Sequence, residues 1–126
     1  MAFKKYEDIT VWQKGRELVR RVYALACGGS FAKDWGLRGQ IQRAAVSVCS
    51  NITEGYARRG NREFVKFLWI VKGSVAEVQS QLYHALDLGY IFQDDFQSSY
   101  AMADDIQTGI FKLIEVLEST PARQKL

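Results

Sequence analysis

The chain's one proline stands at position 121. Proline breaks helices because it lacks the amide proton and its ring clashes with the preceding turn, so nothing before that point forbids long helices. Apolar residues recur at three- and four-residue spacing over four stretches, the period of a helix buried along one face. The first stripe is Val11 or Trp12, Gly15, Leu18 or Val19, Val22, and Leu25 or Ala26, and the second Leu37, Ile41, Ala44, Val48, Ile52 and Tyr56. The third is Phe64, Phe67, Leu68, Val71, Val75, Val78, Leu82 and Leu86, and the fourth Phe96, Tyr100, Ala103, Ile106, Ile110, Leu113 and Leu117. With glycines as C-terminal stops, the spacing predicts helices over about residues 8–27, 34–59, 62–88 and 94–118. "SFAKD" reads as a connection, with Phe31 closing one end of the core. No stretch reads as a strand. Short links make consecutive helices antiparallel neighbours, so the expected fold is all-α: a single domain over residues 1–126, built as an antiparallel up-and-down four-helix bundle.

Several function classes are disfavoured by residue type and spacing. No apolar run approaches the ~18 residues of a membrane span, and "MAFKKYEDITVW" contains no secretory apolar segment, which suggests a cytoplasmic protein. Cys27 and Cys49 are too few for a disulfide framework and read as small buried groups. With one histidine, His84, and no CxxC pair, no metal or cofactor is expected. Gln81 stands three residues before His84, so the Glu-x-x-His pattern of di-metal bundles is missing, as are the glycine-rich phosphate loops. Asp94 and Asp95 suit a helix start, while Asp104 and Asp105 fall mid-helix. No catalytic residue is therefore assigned. Two enzyme readings stay open: a nuclease recruiting Glu54 and Glu63, and a small-dianion mutase using Arg38, Arg43 and Arg58 with Gln42 and Glu54.

Charge is unevenly distributed. Residues 1–72 hold 14 Lys and Arg against 6 Asp and Glu, whereas residues 73–126 hold 3 against 8. Such asymmetry suits an anionic ligand such as nucleic acid, or a neighbouring copy whose acidic side meets the basic one. The corner "RRGNRE" has a structural explanation: Arg58 and Arg59 complement a helix C-terminus, Gly60 ends it, Asn61 caps the next helix and Glu63 sits in its first turn. The same corner supplies the candidate phosphate contacts Arg58, Arg59, Arg62 and Lys66, with Arg43 further back. The third helix is apolar over a wider arc than one core requires. Val65, Trp69 and Ile70 lie outside its main stripe and are the expected subunit contact.

Three segments, "YEDITVWQKGREL" (6–18), "GLRGQIQRAAVSVCSNITEGYARRGNREFVKFL" (36–68) and "GSVAEVQSQLYHALDLGYI" (73–91), carry a family signature. Its most specific part is Arg43 to Ser47, Ser50 to Ile52, Glu54-Gly55 and Arg59 to Phe64. On these the chain resembles the bacterial four helix bundle proteins, also called 23S rRNA intervening-sequence proteins. It departs from the family pattern where Cys49 replaces a proline and where Gly15 replaces a common alanine. The resemblance implies a homo-oligomeric ring, a homopentamer, and a relation to the accessory variability determinant of diversity-generating retroelements. That relative partners a reverse transcriptase and binds nucleic acid. The function expected on this basis is a non-enzymatic scaffold or accessory protein that binds RNA or DNA phosphates through a repeated basic surface. Self-assembly without nucleic-acid binding is a further alternative.

Overall fold

The computed structural model describes residues 3, 5–58 and 60–120. A short 3-10 turn, Tyr6–Asp8, precedes five α-helices: α1 Thr10–Leu25, α2 Gly29–Lys33, α3 Trp35–Ala57, α4 Asn61–Asp87 and α5 Gln93–Ser119. No strand occurs among the described residues. The four long helices pack in the cyclic order α1, α3, α4, α5. Side-chain pairs set each neighbour antiparallel. Cys49 meets the Trp12 carbonyl, Ser47 meets Ser74, Lys72 meets Gln107, and Lys14 meets Asp105. All-helical architecture is thus observed, with one addition. The segment read as a plain connection contains α2, and Phe31 on it is buried.

The buried side chains follow the apolar stripes. Leu18, Val22, Ile41, Val48, Ile52, Phe64, Leu68, Val75, Leu82, Ile106 and Ile110 are among those excluded from solvent. Leu37, Tyr56, Phe67, Leu86 and Tyr100 are only partly buried at the margin of this core. One long helix end shows how local chemistry stops a helix. Gly89 takes φ +75°, and its amide donates to Leu86 O at 3.0 Å while Tyr90 N donates to Ala85 O at 2.8 Å. This is a Schellman close, which needs a left-handed residue at that position. Tyr90 then stacks on Phe31 with ring centroids 5.3 Å apart and donates its hydroxyl to Asp34 at 2.9 Å. Asp34 also caps α3, accepting from Leu37 N at 3.0 Å. These donors, the Leu37 amide first and the Tyr90 hydroxyl second, hold the Asp34 carboxyl below the usual aspartate range.

Close helix approach depends on small residues. A β-carbon on Gly55 would stand 2.6 Å from Cβ of Phe67, and one on Gly15 would stand 2.9 Å from the Cys49 sulfur. The two positions that depart from the family pattern are therefore packed against each other. Burial raises the Cys49 thiol to about 11, Arg16 acting weakly the other way, so it is an unreactive, protonated group at neutral pH. Cys49 is partly buried, and Cys27 is exposed rather than buried, because α1 ends at Leu25 and leaves it in the turn beyond.

Candidate nucleic-acid interface

The α3–α4 corner is built differently from the pattern of caps that its sequence suggests. Arg58 is the C-cap of α3 in extended backbone, and Gly60, at φ +90°, is the N-cap of α4. Asn61 is not the cap. It is the first residue of α4, it is buried, and its amide donates to Leu117 O at 3.3 Å and to Thr120 O at 3.5 Å. A glycine able to enter the left-handed region frees the asparagine to tie the start of α4 to the end of α5. Arg59 lies outside the described residues.

The corner cations are not equivalent. Arg58 Nε lies 3.1 Å from Glu54 and its guanidinium sits 5.1 Å over the Phe67 ring. Lys66 Nζ lies 3.8 Å from Glu63. Exposed pairs at these helical spacings contribute at most about 0.5 kcal/mol, so an incoming phosphate competes with them easily. Arg62 is exposed and has no ion pair among the described residues. Arg62 and Lys66 line an open cleft of about 550 Å³ with Asn61, Val65, Leu117, Glu118 and Thr120. Val65 is half-buried there, whereas Trp69 and Ile70 are 49% and 51% exposed on the outer surface of α4.

Arg43 does not join this group. It precedes Arg58 by fifteen residues of helix, about 22 Å at 1.5 Å per residue. It lines a separate polar cleft of about 280 Å³ with Gln40, Ala44, Ser47, Glu77 and Gln81. Below that cleft runs a polar seam between α3 and α4. Ser47 and Ser74 hydroxyls are 2.7 Å apart, and the Asn51 amide donates to Ser47 O and Oγ, both at 2.9 Å. The face formed by Ser47, Asn51, Glu54 and Arg58 is legible at helical spacing. Its partner Ser74 is hidden inside an apolar stripe, and nothing local marks it.

The residues named for enzyme chemistry are dispersed. Glu54 and Glu63 pair with Arg58 and Lys66. Asp104 accepts from Gln79 at 2.9 Å, and Asp105 pairs with Lys14 at 2.7 Å. His84 is exposed in the last turn of α4. Arg38 donates to Ala32 O at 2.8 Å, and Arg43 and Arg58 are exposed. Among the described residues no group of three or more His, Cys, Asp or Glu comes together as a metal site would. The buried polar residues described are Asn61, Ser74 and Ser99. No described helix is long and apolar enough to cross a membrane.

The fold defines an all-helical antiparallel bundle. Residues 7–112 match the family model of the 23S rRNA-intervening sequence proteins, and the chain belongs to that family. The fold is shared with a solved protein of unknown function from the S23 ribosomal protein family of Bacteroides thetaiotaomicron. That structure is 21% identical, has a TM-score of 0.76, and aligns over 84% of this chain and 99% of its own. No curated protein matches the chain.

Proposed function

We propose that the protein is a non-enzymatic scaffold or accessory protein that assembles into a homo-oligomer and binds nucleic-acid phosphates through a repeated basic surface. The observation that carries this reading is Arg62, an exposed guanidinium without an ion pair among the described residues, which lines one cleft with Lys66. One such pair holds a phosphate weakly. A ring, pentameric by the family resemblance, repeats it and raises affinity through effective concentration. Exposed apolar residues on α4 support self-association, since patches of that kind mark interfaces.

A second reading, self-assembly alone, is favoured by the pairing of Arg58 and Lys66 with carboxylates of their own helices. Salt dependence separates the two. Labelled RNA or DNA binds the assembled protein at low salt, and log affinity falls linearly with log salt. Each phosphate contact contributes a slope of about 0.7 for a single strand. The double change Arg62→Ala with Lys66→Ala lowers that slope by about 1.4 for each copy in contact. If neither nucleic acid binds at low salt, the phosphate reading is lost and self-assembly stands.

A further inference from the structure

Arg62, Lys66 and Trp69 occupy positions i, i+4 and i+7 of α4, one face of the helix. The residues named from sequence for phosphate contact and for subunit contact therefore share a surface. Trp69 and Ile70 do not face the same way. Trp69 follows Val65 and precedes Lys72, whose ammonium reaches Gln107 on α5 at 3.2 Å. Ile70 precedes Ser74, which meets Ser47 on α3. Trp69 thus borders the α4–α5 groove and Ile70 the α3–α4 side.

The antiparallel register set by Asn61 with Leu117 and by Lys72 with Gln107 places Phe111 opposite residues 67–68 of α4, within one turn of Trp69 across that groove. Phe111 is 48% exposed, and the Lys72 ammonium lies 5.9 Å from its ring centre. From the cleft outward, α4 presents Arg62, Lys66, Trp69 and Lys72, with Phe111 of α5 facing the stretch between Lys66 and Trp69. Residues 62 to 72 span about 15 Å of helix. Cations flank two half-exposed aromatic faces along this length. That combination suits a strand whose bases are free to stack, because a base stacked on protein must be out of a duplex. The acids nearby are Glu63 on α4, 3.8 Å from the Lys66 ammonium, and on α5 Glu118 on the cleft wall and Glu115, four residues past Phe111. Glu115 and Glu118 repel a phosphate backbone from the α5 side, and the exposed Glu63–Lys66 pair is weak enough for a phosphate to displace, so the backbone runs along α4.

We infer that the α4–α5 groove takes single-stranded rather than duplex nucleic acid, with an unpaired base on Trp69 and its flanking phosphates on Arg62 and Lys66. This rests on the phosphate reading above and takes Trp69 out of the subunit contact, leaving Ile70 there. The test compares the affinity of the full chain for a labelled RNA strand and for the same strand in a duplex, at one low salt concentration. The single strand binds tighter. Trp69→Ala weakens single-strand binding about tenfold, from a stacking contribution of ~1–3 kcal/mol per base. Trp69→Phe keeps most of the affinity, duplex binding does not change, and the native mass of the Trp69→Ala particle equals that of the wild type. Equal binding of strand and duplex, insensitive to Trp69→Ala, overturns the inference and leaves the phosphate reading intact. A smaller particle after Trp69→Ala returns the tryptophan to the subunit contact and also overturns it. Absence of binding by either form removes both readings.

Discussion

Gly55→Ala lowers the stability of the fold, although alanine is the better helix former. Alanine gains about 1 kcal/mol over glycine in a helix interior. Against that gain, the added β-carbon would lie 2.6 Å from Cβ of Phe67 and 3.1 Å from Cδ1 of Phe64. The Phe67 atom is fixed to the α4 backbone, so no rotamer change removes the overlap. The helices must separate or shift, and overpacking of this kind costs about 1–3 kcal/mol. The net effect is a loss of up to about 2 kcal/mol. Gly73→Ala is the matched control. That position is exposed, and nothing lies within 4 Å of the added carbon, so the same chemical change raises stability by up to about 1 kcal/mol. Urea unfolding midpoints of both variants, measured at one protein concentration because assembly shifts apparent stability, move in opposite directions. A Gly55→Ala midpoint at or above that of wild type contradicts the close approach of α3 and α4.

A larger loss follows Phe64→Ala. Phe64 is excluded from solvent and meets Tyr56 edge-on, with ring centroids 6.0 Å apart. Removing it forfeits burial and leaves a cavity beneath the corner, which costs about 3–5 kcal/mol. Trp69, five residues on, is half exposed. Its replacement by alanine changes folding stability by about 0.5 kcal/mol or less. The contrast separates a core aromatic from a surface one on the same helix. Thermal or urea unfolding checks it, and comparable losses from both variants would mean that Trp69 packs inside its own bundle.

How far these features are legible in the sequence depends on the distance over which they are set. Ile41, Val48, Leu68 and Ile106 are readable as core because helical period alone determines which face they occupy. Gly55 is readable as a residue needing a packing reason, because a mid-helix glycine is costly, but its partner Phe67 is not. Asn61 misleads. Asparagine favours N-caps, yet the cap here is Gly60 and the asparagine amide reaches the last turn of α5, fifty-six residues away. The contact between Gly15 and Cys49 is hidden for the same reason, as is α2, whose five residues are too few to show a period. At the candidate site, the pairing of Glu54 with Arg58 and the common face of Arg62, Lys66 and Trp69 follow from spacing. The separation of Arg43 follows from counting turns. Phe111 enters the groove only through the register of α5 on α4, which no local pattern contains.

The most direct test of the account is ultraviolet cross-linking of a single-stranded RNA to the assembled protein, followed by mass-spectrometric mapping of the modified peptide. Cross-links are expected within residues 62–72 of α4, with Trp69 the preferred site of attachment. Cross-links confined to the basic residues of α1, Lys14 to Arg21, or no cross-link under conditions where RNA is bound in excess, would contradict it.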